Sequence, residues 1–166
     1  MKLYTTYVLP IFMYCSPIYS YLLLSQRAKL EKTQRYFTRR LLKRQGIDPV
    51  PDYPSRLQLL GLVSLETAFL RSDLLTLYKL IKGDLPSYFS FRFSAHFAHR
   101  LFFNRVNTNI VRKFFINRSS CAWNRIVLSD SVSDLRSFPK FLYSLPFLTR
   151  LKRALKGFRE LCVRCK

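Results

Sequence analysis

The chain combines a large positive charge with a high content of hydrophobic residues. Its 166 residues include 29 Lys and Arg against nine Asp and Glu, a net charge of +20, yet 49% are hydrophobic. A disordered basic tail would lack that apolar content, so we expect a folded core beneath a positive surface. Such surfaces are typical of proteins that bind a polyphosphate such as nucleic acid. A basic protein with no specific partner, or a fragment separated from an acidic neighbour, is the alternative.

The amino-terminal stretch has no charged residue between Lys2 and Arg27. It is long enough to cross a bilayer, and the alternative function is therefore a small basic membrane-anchored protein with residues 3–24 as its transmembrane span. Pro10, Pro17 and several tyrosines argue against a span and favour a segment buried in the protein core. Four apolar residues recur there at helical spacing: Leu3, Tyr7, Ile11 and Tyr14.

The strongest periodic pattern predicts a helix over residues 26–44, with Gly46 as its carboxy-terminal cap. At 100° per residue, Leu30, Phe37 and Leu41 form one stripe, which we expect to face the core. Seven cations fall on the other side: Lys29, Lys32, Arg35, Arg39, Arg40, Lys43 and Arg44. Glu31 is the one acidic residue in this segment, and its spacing favours a surface pair with a nearby Lys or Arg.

The remaining pattern predicts a mainly α-helical fold, a thumb-like bundle with a small β-hairpin in the carboxy-terminal half. A short helix is expected to end at Gly61, and a longer one to begin after Ser64 and end at Gly83. In residues 100–113, β-branched and aromatic residues lie between polar ones, which suggests a hairpin with its turn near 107–109. Residues 114–126 again have helical spacing.

Catalytic and metal-binding signatures are weak. The acidic residues form no close pair within an apolar strand, and neither a Gly-x-Ser-x-Gly nor a His-Glu-x-x-His motif occurs. We predict no catalytic residue, no metal, no cofactor and no small-molecule ligand. Cys162 and Cys165 have the spacing of half a zinc knuckle, which His96 and His99 could complete or which could be truncated. The four cysteines do not resemble a disulfide framework, so we expect an intracellular protein of the nucleus or cytoplasm.

The basic helix is the main candidate for function. Seven cations on one arc repel one another, and phosphates would relieve that repulsion; a solvated surface is the alternative interpretation. We expect contacts to the backbone of RNA or DNA, as duplex or single strands, without base reading. Tyr36 projects into the arc and could stack on a base, whereas other aromatic residues are expected in the core. The predicted nucleic-acid-binding residues are Lys29, Lys32, Arg35, Arg39, Arg40, Lys43, Arg112 and Lys113.

The order and spacing of five segments resemble one known family. They are 7–18 (YVLPIFMYCSPI), 30–39 (LEKTQRYFTR), 56–66 (RLQLLGLVSLE), 73–83 (DLLTLYKLIKG) and 107–124 (NTNIVRKFFINRSSCAWN). The same succession follows the polymerase palm in LINE-type (non-LTR) retrotransposon reverse transcriptases. The resemblance covers about residues 3–145, and it lies in the order of the motifs rather than in any one of them.

The resemblance implies a fragment of an RNA-directed DNA polymerase from a transposable element. It corresponds to the thumb and the region after it, without the palm that carries the catalytic aspartates, so this chain alone is expected to be inactive. The implied divisions are a thumb-like helical region at 1–83, the carboxy-terminal region of the reverse transcriptase at 84–148 and a basic tail at 149–166. The thumb would grip a template–primer duplex, and the uncharged leader would normally be covered by the palm. A translation product without a function is a third interpretation.

Overall fold

A computed structural model describes residues 3–14, 16–19, 24–86, 90–94, 99–102, 114–129 and 138–142. The fold is mainly helical with one two-stranded antiparallel hairpin, which confirms the predicted fold class. The elements are a π-helical turn (Tyr4–Val8), α1 (Leu9–Met13), α2 (Ser16–Tyr19), α3 (Leu24–Arg44), α4 (Tyr53–Leu59), α5 (Leu65–Lys82), β1 (Arg92–Phe93), β2 (Leu101–Phe102), α6 (Phe115–Ser129) and α7 (Phe138–Phe141). Two compact units divide the chain: Met1–Ser72 and Asp73–Lys166.

The amino-terminal helix changes its winding immediately before Pro10. The Leu9 N–H donates to the Tyr4 carbonyl, five residues back, so the turn Tyr4–Val8 is π-helical. Proline has no N–H, and its ring clashes with the carbonyl four residues earlier in an α-helix. A widened turn followed by a new α-helical segment, with Pro10 in its first turn, satisfies both requirements. The helix therefore accommodates Pro10 by a change of winding.

The expected burial of the leader is wrong for its apolar stripe. Leu3, Tyr7, Ile11 and Tyr14 are all exposed, and Ile11 retains 70% of its accessible surface. Tyr4 is the residue that turns inward: it is buried, and its ring stacks on Phe37 of α3 with centroids 4.4 Å apart. Spacing alone identified a helical face but not which face the rest of the unit would cover. Among the described residues, no helix is both long enough and apolar enough to cross a membrane.

Glycine ends three helices at the predicted positions. At the end of α3, Gly46 has a positive φ of 76°, its N–H donates to the Lys43 carbonyl, and the Ile47 N–H donates to the Leu42 carbonyl. This pair of bonds satisfies carbonyl groups that the helix leaves without a partner, and it requires the left-handed conformation that glycine adopts most readily. The ends of α4 at Gly61 and α5 at Gly83 repeat the pattern.

A buried ion pair joins α5 to α6 within the second unit. Arg118 donates to both carboxylate oxygens of Asp73, from Nε at 3.0 Å and from Nη2 at 3.2 Å. Their side chains are only 8% and 3% exposed. The two-point geometry is the arrangement in which an Arg–carboxylate pair is strongest. Breaking such a pair would leave one charge buried alone, so it fixes the position of α6 against the middle of α5, at Asp73.

Trp123 and Asn124 attach the hairpin region to α6. Asn124 forms two 2.8 Å hydrogen bonds with the backbone of Leu101, accepting from its N–H and donating to its carbonyl. The Trp123 indole donates to the His99 carbonyl at 2.8 Å. The Asn124 amide thus acts as a substitute for a neighbouring strand on the otherwise open edge of β2.

The described hairpin pairs β2 with a segment that precedes it in the chain. Arg92 pairs with Phe102 and Phe93 with Leu101, so β2 joins a segment that the sequence had not indicated as a strand. Residues 103–113, with the expected turn at 107–109, lie outside the described residues, so the hairpin expected within 100–113 stays a prediction. The alternation of apolar and polar residues near Leu101 correctly indicated a strand, but it carries no information about which segment the strand pairs with.

Candidate nucleic-acid interface

The inner face of α3 is more polar than its sequence pattern indicated. Over residues 26–44, where burial is described, the fully buried side chains are Gln34, Thr38 and Leu42, whereas the predicted stripe of Leu30, Phe37 and Leu41 is half-buried. Gln34 donates to the Val63 carbonyl at 2.9 Å, which joins α3 to the segment before α5. Thr38 donates back to the Gln34 carbonyl at 2.9 Å. The helix is therefore rotated relative to the hydrophobic prediction, and hydrogen bonds from the Gln34 amide N–H and the Thr38 hydroxyl offset part of the cost of burying these polar side chains. Gln34 Oε1 is buried and has no hydrogen-bond partner among the described residues.

The outer face of α3 carries the predicted cations. All seven are exposed: Lys29, Lys32, Arg35, Arg39, Arg40, Lys43 and Arg44. Within the part of the chain that the structure describes, no carboxylate lies within 4.0 Å of any of their charged nitrogens. We call these seven residues the basic face. It contains six of the eight predicted binding residues, and the other two, Arg112 and Lys113, lie outside the described residues.

The spacing of Glu31 had suggested a surface pair with a nearby cation, but the structure shows different partners for its carboxylate. Its carboxylate accepts a hydrogen bond from the Tyr53 hydroxyl and a second, at 3.0 Å, from the Leu65 N–H. Leu65 is the first residue of α5, where a negative charge is favoured by the unpaired N–H groups and the helix dipole. Ser64 adds a cap, accepting from the Thr67 N–H at 3.3 Å. The one acidic side chain of α3 is therefore used inside the unit.

Tyr53 lies where α3 meets α4 and organises two arginines. The guanidinium carbon of Arg35 is 4.6 Å from the centroid of the Tyr53 ring, and that of Arg56 is 5.5 Å away. Burial raises the pKa of the Tyr53 hydroxyl well above its usual range, and the bond to Glu31 raises it further. The hydroxyl therefore remains a neutral donor to Glu31, while the ring provides an electron-rich surface for the cations.

Tyr36 is the exposed aromatic residue within the basic face. It keeps 61% of its accessible surface, as its position in the arc had indicated. Arg40, one turn later, donates a hydrogen bond to its hydroxyl and has its guanidinium carbon 5.9 Å from the ring centroid. This ring is available to solvent among positive charges, which is the arrangement that single-strand binding proteins use for base stacking.

Of the four residues considered for zinc, the structure describes His99. No group of three or more His, Cys, Asp or Glu side chains within the described ranges could hold a metal ion. Cys162, Cys165 and His96 lie outside those ranges. His99 is described, and its backbone carbonyl accepts the Trp123 hydrogen bond.

Sequence reasoning missed two members of this region, Tyr53 and Arg56. Pro54 marked the start of α4, since proline is common in the first turn of a helix. Residues three apart on a helix share a face, so Tyr53 and Arg56 could have been expected to meet. Their meeting with Arg35 depends on how α4 packs against α3, and local spacing carries no information about that packing.

Comparison of the chain with protein-family models, curated proteins and solved structures finds no match.

Proposed function

We propose that this chain binds the phosphate backbone of nucleic acid through the basic face of α3. One observation carries the proposal: seven exposed cations share that face, while Glu31, the one acid of the helix, is hydrogen-bonded to Tyr53 and Leu65 on the inner side. An ordinary solvated helix intersperses acids with its bases, which lowers repulsion between like charges. A polyanion would supply the missing negative charge.

The chemistry favours binding without sequence preference. Lys and Arg contacts to phosphates release condensed counterions, and this supplies most of the affinity of non-specific complexes. The predicted contacts are Lys29, Lys32, Arg35, Arg39, Arg40 and Lys43, with Arg112 and Lys113 as secondary contacts. A single helix of this kind can follow the backbone of a duplex or of a single strand, and RNA and DNA both present the necessary phosphates.

We further propose that the chain derives from a LINE-type reverse transcriptase and corresponds to its thumb and the following region. The order of motifs supports this origin, as does the exposed apolar stripe of Leu3, Tyr7, Ile11 and Tyr14, which a palm would cover. The proposed activity is template–primer binding without polymerase chemistry, in the nucleus or cytoplasm. Isolation of an open reading frame that encodes a Tyr/Phe-x-Asp-Asp motif upstream of Met1 would test the origin directly.

The binding proposal is tested by the salt dependence of affinity. Lys32, Arg39 and Lys43 would be replaced together by Ala, and binding to a short labelled DNA duplex and a single strand measured between about 50 and 200 mM salt. For the duplex, the slope of log K against log salt should become shallower by about 0.9 for each phosphate that the variant no longer neutralises.

A second triple variant controls for net charge. Lys79, Lys82 and Arg92 are exposed and comprise the same residue types, two Lys and one Arg. Lys82 lies 3.7 Å from Asp84, but an exposed pair of this kind contributes little. The control variant should keep the wild-type slope. Equal reductions of the slope in both variants would contradict binding at α3, and a wild-type protein that bound neither probe in dilute buffer would remove the proposed function altogether.

A further inference from the structure

We propose that Arg35, Arg56 and Tyr53 form a phosphate clamp where α3 meets α4. The inference rests on the proposed function and extends it to α4, an element that the sequence did not implicate in binding. Arg35 and Arg56 would contact a backbone phosphodiester of the nucleic acid. Tyr53 would act as a positioning residue that holds both guanidinium groups in place.

The geometry brings two cations from different helices to one ring. The Arg35 and Arg56 guanidinium carbons lie 4.6 Å and 5.5 Å from the Tyr53 centroid, both within the range of about 6 Å over which a cation is attracted to an aromatic ring. Both guanidinium groups carry a positive charge beside the same ring, so they repel each other. The ring offsets part of this repulsion, and a bound oxyanion would offset more of it.

The ring and one of the arginines are fixed from the inside of the unit. The Tyr53 hydroxyl donates to Glu31, and Glu31 also accepts from the start of α5. Arg56 Nη1 donates to the Pro51 carbonyl at 2.7 Å, across the turn that precedes α4. These bonds restrict the side chains before any ligand arrives, so less conformational freedom is lost on binding.

Unused donors remain on both arginines. In the described part of the chain, the Arg35 guanidinium and Arg56 Nη2 make no hydrogen bond, and neither guanidinium lies within ion-pair distance of a carboxylate. Arg56 Nε also has no acceptor, but this atom is buried and is not a donor for the ligand. A guanidinium presents parallel N–H groups whose spacing matches two oxygens of a phosphate. Lysines elsewhere on the basic face lack this fork and act as mobile point charges.

A comparison of two single-charge variants tests the clamp. Arg56→Ala should weaken binding of a short labelled DNA duplex and reduce the salt slope by about 0.9, the value for one phosphate contact. Arg92→Ala removes the same charge from an exposed position of β1 and should leave the slope unchanged. Equal slopes in the two variants would overturn the clamp.

Two variants of Tyr53 test its positioning role without changing the charge at neutral pH. Tyr53→Phe keeps the ring and should retain the wild-type slope, whereas Tyr53→Leu removes the ring and should weaken binding several-fold with a shallower slope. Equal binding by the two variants would contradict the role of the ring. Should Tyr53→Leu fail to fold, as judged by circular dichroism, the Arg56 comparison decides alone.

The same measurements separate the clamp from the proposed function. Wild-type protein that binds neither probe would refute nucleic-acid binding, and the clamp with it. Wild-type binding that responds to the triple variant on α3 but treats Arg56→Ala and Arg92→Ala alike would refute the clamp only.

Discussion

The position of one carboxylate determines the charge pattern of α3. Glu31 lies between Leu30 and Lys32, and on a free helix it would neutralise part of the basic face. In the folded unit it accepts hydrogen bonds from Tyr53 and from the Leu65 N–H. The acid therefore serves the packing of three helices, and the cations remain without an acidic partner in the described chain. Stability and surface charge are linked at this residue.

The raised pKa of the buried Tyr4 hydroxyl predicts how the stability of the fold should change at alkaline pH. Burial, with a smaller contribution from Glu31, raises the pKa of its hydroxyl to about 12, compared with about 10 in an unfolded chain. The folded state thus holds this proton more tightly. Its contribution to stability is complete below pH 10 and is lost as pH rises through 12, at about 1.4 kcal/mol per pH unit between the two values.

Tyr4→Phe should remove this part of the alkaline transition. The Tyr4 hydroxyl is buried and has no hydrogen-bond partner within the described residues, so its removal should not destabilise the protein at neutral pH. Urea unfolding of both proteins at several pH values, followed by circular dichroism, would give the two stability curves. We expect the curves to diverge above pH 10 in favour of the variant; parallel curves would contradict the pKa shift.

At the scale of the element, the start of α5 depends on a residue of another helix. Glu31→Gln keeps a hydrogen-bond acceptor for the Leu65 N–H but removes the negative charge from the positive end of the helix dipole. We expect the free energy of unfolding to fall by about 1–2 kcal/mol, the upper part of the range for a charge at a helix terminus, because Glu31 is partly buried. Urea unfolding at neutral pH and low ionic strength would measure the change.

A second variant separates this effect from the change in net charge. Asp48→Asn also removes one negative charge, but from an exposed loop position after α3. It should change the free energy of unfolding much less than Glu31→Gln. If the two variants were equally destabilised, general repulsion in a chain of charge +20 would explain the destabilisation better than the contact with α5.

Helix limits were predictable from the sequence because they depend on local chemistry. Gly46, Gly61 and Gly83 end their helices because each adopts the left-handed conformation that closes the terminal hydrogen bonds. Ser64 caps α5 through its own hydroxyl. Each of these interactions joins residues at most five positions apart, and the residue type alone carries the signal.

Helix faces and strand partners were not predictable in the same way. Hydrophobic spacing selected Leu30 and Phe37 as the inner stripe of α3, but the buried positions include Gln34 and Thr38, whose donor groups bond to carbonyl oxygens. The pairing of β2 with Arg92 and Phe93 was not anticipated for a similar reason. These features depend on contacts between segments far apart in sequence, and the periodicity of one segment does not encode them.

In the candidate site, too, the features that depend on one helix were predictable, and those that depend on contacts between helices were not. The basic face could be predicted because seven cations occupy one arc of one helix, and their exposure follows from the cost of burying charge. The clamp could not, since it requires Arg35 of α3 and Tyr53 of α4 to meet. The inward position of Glu31 likewise depends on the start of α5.

At the scale of the whole molecule, charge and exposed apolar surface oppose each other. A net charge of +20 keeps copies of the chain apart at low ionic strength. The stripe of Leu3, Tyr7, Ile11 and Tyr14 favours association, since contact between copies would remove apolar surface from water. Salt shortens the range of the repulsion to about 8 Å at physiological ionic strength but leaves the apolar attraction.

Salt should therefore promote self-association of the wild-type chain, and Ile11→Lys should reduce it. Thr6→Lys is the matched control, because Thr6 is an exposed residue of the same helical segment and the substitution adds the same charge. Both variants strengthen repulsion equally, but only Ile11→Lys interrupts the apolar stripe. Sedimentation velocity at increasing sodium chloride should show wild type and Thr6→Lys forming larger species at salt concentrations where Ile11→Lys remains monomeric. Equal suppression by the two lysines would mean that charge, and not the exposed stripe, controls association.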